Sequence, residues 1–334
     1  MAAGFGSAGV GAAVLMAADP KSRTTGFDGD NARMRIGLVG AGPWARNVHA
    51  PAIAGHPRWS AAGVWARRPE AAAEVADVVG GPVHASLERL LEACDTVAFA
   101  VPPQVQGELV PVAAAARKHL VLEKPLAADL PAAERASAAV DDAGVCSATM
   151  LTLRFDPAIR TWLDGIGAGP HGPGTVGTAR WLSGSLLGGP YASSAWRAEH
   201  GALFDVGPHV IDLLDAALGA VTGVEAARRD APDLWRAGLV HAGGARSSLV
   251  LSSRTPVDPT EFEVALSGGL GPDGRGRCRL ASRPRDAVAC YARLLDDLAV
   301  AIDAGDPRLP VDARRALHVQ RIVDEILQVA AGPA

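Results

Sequence analysis

The amino-acid sequence has few lysines, few cysteines and no long apolar run. Only three of its 32 basic residues are lysines, and its arginines are scattered in a chain of net charge −4, so no nucleic-acid surface is expected. The four cysteines form no CxxC or metal-ligand spacing, which predicts buried thiols in a reducing, cytoplasmic compartment and no metal site. No stretch has the pattern of a secretory signal or of a membrane span. The apolar fraction of 49% is ordinary for a soluble globular enzyme.

The length of 334 residues predicts two domains after a leader. Residues 1–33 are rich in Ala and Gly and then polar, so we expect a disordered leader, and an upstream misassigned start would account for it. We place a Rossmann domain at 34–153 and a second domain with C-terminal helices at 154–330.

Apolar runs alternate with helical stretches through the first domain. The runs are "MRIGLVG", "AAGVWA", "TVAFAVP", "LVLEKP" and "VCSATML". This alternation predicts βαβ units on a doubly wound parallel sheet. After residue 153, shorter strands of twofold alternation predict an antiparallel or mixed sheet, and two long helices follow. The fold class is therefore α/β, with two different sheets.

A glycine pattern of the form G-x-G-x-x-G/A follows the first strand directly, in "GLVGAGPWA". Gly40 would permit the tight turn, Gly42 would let the backbone approach a diphosphate, and Ala45 would keep the next helix close to the sheet. The expected dinucleotide contacts therefore lie at Gly40, Gly42, Pro43, Trp44 and Ala45. A turn without a ligand is the alternative interpretation.

The end of the second strand is where a carboxylate would bind the ribose of NAD. Arg67 and Arg68 stand there instead. Two guanidinium groups suit a 2′-phosphate, which favours NADP as the cofactor and leaves NAD possible. Alternatively, both arginines are only solvated charges before a helix.

Two further strands end in segments that should face the same crevice, because ligands of parallel sheets lie beyond the carboxyl ends of the strands. One segment comprises Val101, Pro102 and Pro103, and the other comprises Glu123 and Lys124. Lys124 is notable in a chain that otherwise uses arginine. An exposed loop cation is the alternative.

A second cluster lies in "GALFDVGPHVIDLLDAALG". On one continuous helix over 205–218, Asp205, His209 and Asp212 would share a face opposite the core residues. Pro208 lacks the N–H that an interior helical position needs. Either the helix bends there, or Pro208 lies in its first turn and Asp205 precedes it.

The order and spacing of these motifs, together with "RFDP", resemble the Gfo/Idh/MocA oxidoreductases over roughly residues 34–330. The resemblance implies a Rossmann domain followed by an α/β domain with a largely antiparallel open sheet, which commonly mediates oligomerisation, here as a dimer or tetramer. It also implies that Lys124, Asp205 and His209 are catalytic. More weakly, it implies that Trp196 and Arg197 approach the cofactor.

The chain departs from the family at two places. Gln106 stands where a histidine is frequent, and Glu199-His200-Gly201 replaces a glycine-rich run, so the substrate stays open. We expect an NADP-preferring dehydrogenase or reductase of a secondary alcohol or its ketone, in a sugar or polyol, with His209 exchanging the proton near neutral pH. The alternatives are a non-catalytic NAD(P)-binding regulator or scaffold, and a reductase of an imine or unsaturated intermediate.

Overall fold

Five parallel strands form the first sheet of the protein. The computed structural model describes residues 33–167, 171–188, 195–269, 276–281 and 286–332, so almost all of the predicted leader lies outside the described residues. The strands are hydrogen-bonded in the order β2-β1-β3-β4-β5. Their bounds are β1 Met34–Val39, β2 Trp59–Trp65, β3 Thr96–Phe99, β4 His119–Leu122 and β5 Ser147–Thr149. All pairs are parallel, so all five carboxyl ends lie at one edge.

Both faces of this sheet are buried, which explains why its strands are apolar at successive positions. Ile36 and Leu38 point into a core on one face, whereas Val39 and Phe99 belong to a core on the other. The helices of this part of the chain are α1 Ala50–Ala54, α2 Pro69–Val79, α3 Leu87–Ala93, α4 Pro103–Ala115 and α5 Leu130–Ala143, and a π-helical turn, Ala45–His49, leads into α1. The predicted doubly wound parallel sheet is confirmed.

Six strands form the second sheet, in the order β11-β10-β6-β9-β8-β7. Their bounds are β6 Val176–Leu182, β7 Val221–Asp230, β8 Leu234–His241, β9 Arg246–Ser252, β10 Glu261–Gly268 and β11 Gly276–Leu280. Among the strands in the described ranges, only β6 and β9 of this sheet pair in parallel, so the sheet is mixed and largely antiparallel, as predicted. Alternate residues of β8 are buried, as expected for a sheet covered on one face.

The remaining helices pack against one of the two sheets or against both. They are α6 Pro157–Ile166, α7 Ala195–Asp205, α8 Gly207–Leu218, α9 Ala287–Ala304 and α10 Ala313–Ala331. Helix α8 covers the inner face of the second sheet, whereas Tyr291 and Leu294 of α9 pack in the core of the first sheet. Ala316 of α10 packs with the first sheet and Ile326 with the second. The first sheet ends at Thr149 and the second begins at Val176, but the chain returns to the first sheet with α9, and the domain boundary at residue 153 stays a prediction.

Candidate functional site

Lys124 follows β4 directly, at the edge where the carboxyl ends of the parallel strands lie. Its Nζ donates to Oδ1 of Asp205 at 2.9 Å and to the main-chain oxygen of Asp205 at 2.5 Å. Both side chains are largely buried, with 12% and 16% exposed. The two residues are 81 positions apart, so the fold brings the predicted lysine and aspartate into contact.

Asp205 occupies a junction between two helices. Helix α7 ends at Asp205, and α8 begins at Gly207 with Pro208 in its first turn. Of the two arrangements left open by the sequence, the structure has the one in which Asp205 precedes the helix. The Nε of Arg197 also donates to Asp205, at 3.1 Å. Burial alone would raise the pKa of Asp205, but the charges of Lys124 and Arg197 outweigh it and hold the pKa far below its usual value.

His209 lies in the first turns of α8, four residues after Asp205. Its ring stacks on Trp181 with centroids 6.1 Å apart, and its Nδ1 has no hydrogen-bond partner among the described residues. Burial, aided by the nearby charge of Lys124, lowers the pKa of His209 to about 3, although Asp205 opposes this shift. The imidazole is therefore neutral at neutral pH, because desolvation disfavours the imidazolium, and the expected proton exchange by His209 stays a prediction.

Asp212 does not share an open face with His209. Its side chain is fully buried and pairs with Arg154 at 3.2 Å and with Arg315 at 2.6 Å. Nearly every residue of α8 is buried, so the predicted separation into a core face and a face that carries His209 with flanking carboxylates is wrong. Asp212 belongs to an ion network that links α8 to α10.

The glycine loop follows the end of β1, at the same edge of the first sheet as Lys124. Gly40 has a φ of 118°, and a Cβ there would collide with the main-chain oxygen of Ala100, so the tight turn requires glycine. A Cβ on Gly42 would meet no atom within 4 Å, so the space beside the loop is open. Ala45 is fully buried against the sheet. A backbone cradle beside open space fits the diphosphate of a dinucleotide.

Glu123 joins the glycine loop to the lysine. The Nε1 of Trp44 donates to Oε1 of Glu123 at 2.6 Å, and the same oxygen lies 2.9 Å from Nε2 of His49. His49 is fully buried and its ring lies 4.3 Å from that of Tyr291. Sequence reasoning missed His49, although its place on the helix after the glycine loop was a usable signal. Glu123 therefore binds Trp44 of the glycine loop, and the next residue, Lys124, binds Asp205.

The other predicted cofactor residues surround the same edge. Pro103 begins α4 and is buried, whereas Pro102 is exposed and Val101 is partly exposed. Arg67 and Arg68 are exposed after β2, and neither has an ion-pair partner among the residues described. The N–H of Gly40 donates to the oxygen of Trp65 at 2.9 Å, which places the glycine loop beside the strand that precedes these arginines.

The segment before Asp205 has a role in the site through Arg197. The guanidinium of Arg197 lies over the ring of Trp196 at 5.9 Å, and Trp196 stacks on His200 at 5.6 Å. Glu199 is exposed. Contact of Trp196 and Arg197 with a cofactor stays a prediction.

Two buried polar residues without a predicted role support this site. Gln106 is fully buried and hydrogen-bonds to the main chain on both sides of Lys124, so it is not part of an open substrate surface. Its place on the apolar face of α4, four residues before Val110, could have indicated this burial. Asp233 accepts from the N–H of Ala202 at 2.9 Å beside the kink of α7 at Gly201. No sequence spacing indicated Asp233.

Together, the parallel sheet, the glycine cradle and the lysine turn define a Rossmann-type protein with a cleft for a dinucleotide. Residues 34–150 match the profile of the GFO_IDH_MocA oxidoreductase family, described by its NAD-binding Rossmann fold. This match confirms, for residues 34–150, the resemblance seen in the motifs.

Individual relatives agree with this assignment. The galactose 1-dehydrogenase of Pseudomonas fluorescens is 34% identical over 39% of this chain and 41% of its own length. The dTDP-3,4-didehydro-2,6-dideoxy-α-D-glucose 3-reductase of Streptomyces antibioticus is 27% identical over 89% of this chain and 97% of its own. The structure of the WlbA dehydrogenase from Bordetella pertussis with NADH and UDP-GlcNAcA superposes with a TM-score of 0.75 at 24% identity, over 90% of this chain and 97% of that one.

The matches to the first four curated relatives cover 41% to 58% of their lengths. In the described ranges, no helix combines the length and the apolarity needed to cross a membrane. No group of three or more His, Cys, Asp or Glu side chains in those ranges could hold a metal ion.

Proposed function

We propose that the protein is an NADP-preferring dehydrogenase or reductase that interconverts a secondary alcohol and a ketone in a sugar or polyol. The observation that carries this proposal is the contact between Lys124, from the end of a parallel strand, and Asp205, four residues before His209. The contact lies at the strand edge that also holds the glycine loop. The names of the relatives, which are sugar dehydrogenases and a sugar 3-reductase, agree with this reaction class.

Lys124 would stabilise negative charge on the reacting oxygen. An ammonium group has three N–H donors, and two of them are directed at Asp205. The third has no acceptor in the described part of the chain and can donate to a substrate oxygen. Asp205, held ionised by Lys124 and Arg197, fixes the position of that donor.

His209 would exchange the hydroxyl proton. Because its imidazole is neutral at neutral pH, it can accept a proton from an alcohol. Ketone reduction would first require protonation of this buried ring. A bound nicotinamide accepts or supplies the hydride in this class of reaction.

The cofactor would lie along the residues predicted from the sequence. Gly40, Gly42 and the following helical turn would hold its diphosphate. Arg67 and Arg68 would pair with a 2′-phosphate, since both are exposed after β2 and no carboxylate stands in the place that favours NAD. This placement supports NADP over NAD.

Cofactor titration followed by a turnover assay tests the proposal. NADPH and NADH binding would be measured by fluorescence, and reduction of NADP⁺ or NAD⁺ would be followed at 340 nm with galactose, levoglucosan, glucose and inositol. Replacement of Lys124 by Met should lower kcat by about a hundredfold to a thousandfold, as expected for the loss of a charge-stabilising donor. Binding of NADPH should change little, and Lys118→Met is the matched control.

Two outcomes would contradict this reading. An unchanged kcat in the Lys124→Met and His209→Gln variants would remove the proposed catalytic roles. Binding of NADPH without turnover of any sugar or polyol would instead favour the regulator hypothesis.

A cytoplasmic location and a homo-oligomeric state also belong to the proposal. Three of the cysteines, Cys94, Cys146 and Cys290, are buried free thiols, which agrees with a reducing compartment. The second sheet is covered by helices on one face, and Val176 on its other face is 49% exposed. That face could pair two copies, and light scattering would measure their number.

A further inference from the structure

The turn that carries Lys124 lacks main-chain support. The last ladder bond of β4 at this edge runs from the N–H of Met150 to the oxygen of Leu122. Within the described ranges, no main-chain hydrogen bond reaches residues 123–127. Buried main-chain groups need partners, so side chains must supply them here.

Two buried glutamines supply these partners from opposite directions. Gln320 of α10 accepts from the N–H of Ala127 at 3.1 Å and donates to its oxygen at 3.0 Å. Gln106 of α4 acts on the residues around the lysine itself. The turn is therefore held by side chains of two helices that are distant in the sequence.

Gln106 contacts the main chain on both sides of Lys124. Its Oε1 accepts from the N–H of Glu123 at 2.8 Å, and its Nε2 donates to the oxygen of Glu123 at 2.7 Å. The same Nε2 lies 3.0 Å from the oxygen of Leu126 and 3.3 Å from that of Pro125. Since the carboxamide holds the residues before and after the lysine, it limits rotation of the Lys124 backbone.

Few other side chains could replace this carboxamide. A carboxylate at position 106 would face three main-chain oxygens, and an apolar side chain would leave four buried or partly buried main-chain groups without partners. An imidazole keeps one donor and one acceptor, so histidine is the replacement most similar in hydrogen bonding. Position 106 thus requires a group that both donates and accepts.

We propose that Gln106 is a positioning residue that holds Lys124 in reach of Asp205. This inference rests on the proposed function, because it assigns Gln106 to the geometry of the same lysine. Lys124 and Asp205 come from different parts of the chain. A change in one main-chain dihedral angle of the turn would therefore move the Nζ of Lys124 away from the carboxylate of Asp205. The side chain of Gln106 has no other polar partner in the described ranges.

Lysine acetylation measures the position of this amine without knowledge of the substrate. The whole chain has three lysines, and Lys118, bound to the oxygen of Cys94 at 2.9 Å, provides an internal reference. Acetylation rates by acetic anhydride would be followed by mass spectrometry. In Gln106→Met, the Lys124 rate relative to Lys118 should rise about fivefold or more, because the amine leaves Asp205. Gln106→His should restore the ratio to within about twofold of the native value.

Control variants distinguish a positioning role of Gln106 from a general increase in the mobility of the turn. Gln320→Met removes the other carboxamide of the turn, and Gln104→Met changes an exposed residue of the same helix. Both should leave the ratio within about twofold of the native value. If Gln106→Met does not fold by circular dichroism, Gln106→Asn replaces it, because the shorter side chain cannot reach both sides of the lysine.

An unchanged ratio in a folded Gln106→Met or Gln106→Asn variant would overturn the inference. An equal rise in Gln320→Met would overturn it too, because the effect would then belong to the turn as a whole. Neither result depends on turnover. The acetylation ratio can therefore confirm the positioning role of Gln106 even if the protein turns over none of the sugars and polyols.

Discussion

The buried imidazole of His209 should make the protein less stable as the pH falls below neutrality. The folded pKa is about 3, against 6.5 for an ordinary histidine, so the unfolded chain binds an additional proton between these values. Because the folded pKa of this histidine is lowered, the free energy of unfolding is unchanged above about pH 6.5 and decreases progressively as the pH falls below that value. From about pH 7.5 to about pH 5, the loss from this residue alone is about 2 kcal/mol. Asp205 does not contribute in this window, because its folded pKa lies below its ordinary value and it is ionised in both states.

Urea unfolding of the native protein and of His209→Gln at both pH values measures this contribution. Between about pH 7.5 and about pH 5 the variant should lose about 2 kcal/mol less of its unfolding free energy than the native protein, since glutamine binds no proton. The partly buried His119 and the buried His241 have lowered pKa values as well, and their contributions cancel in the difference. Equal pH dependence in the two proteins would refute the argument, and so would an NMR titration of His209 with a midpoint near 6.5.

Three other changes test further parts of the structure. Arg67→Ala should raise the Kd for NADPH by about tenfold and change that for NADH by less than about twofold, because only NADPH has the 2′-phosphate; equal losses by fluorescence titration would count against NADP preference. Asp212→Asn should lower the unfolding free energy by about 3–5 kcal/mol, because it removes the charge of a fully buried carboxylate that pairs with two largely buried guanidiniums. Glu134→Gln, which breaks an exposed ion pair, should cost less than about 1 kcal/mol in the same urea experiment, and similar costs would contradict the network. Gly201→Ala should lower Tm by several degrees, because a Cβ there would overlap the carboxylate of Asp233 and φ is 65°; an unchanged melting curve would be the contrary result.

Much of the fold follows from patterns of a few residues. The alternation of apolar runs and helices predicted the parallel sheet, and the glycine spacing after the first strand predicted the turn at Gly40. These features depend on neighbours within one strand or one helical turn, where the side-chain period is set by the backbone. The patterns were weaker for β11, whose sequence "GRCRL" has few apolar residues, and for α3, which is short. Both elements were missed.

The location of the site could also be predicted from the sequence, because the carboxyl ends of parallel strands share one edge. Lys124 and the glycine loop were placed there by this rule alone. The chemistry of that edge was not predictable in the same way. The periodicity of α8 predicted that Asp212 shares a face with His209 opposite the core, but Arg315 of α10 binds Asp212 in the interior.

The packing of segments that are distant in the sequence determines the ion pairs of the site, the pKa of its histidine and the hydrogen bonds that hold its lysine turn. Lys124 meets Asp205 across 81 residues, and the pKa of His209 depends on how completely α8 is buried. The role of Gln106 depends on a turn that lies 17 to 20 residues further along the chain. The sequence by itself determined the elements and the edge at which ligands are expected, because these depend on local geometry. The tertiary structure decided which polar groups are paired and which are desolvated, because both depend on neighbours that no short pattern specifies.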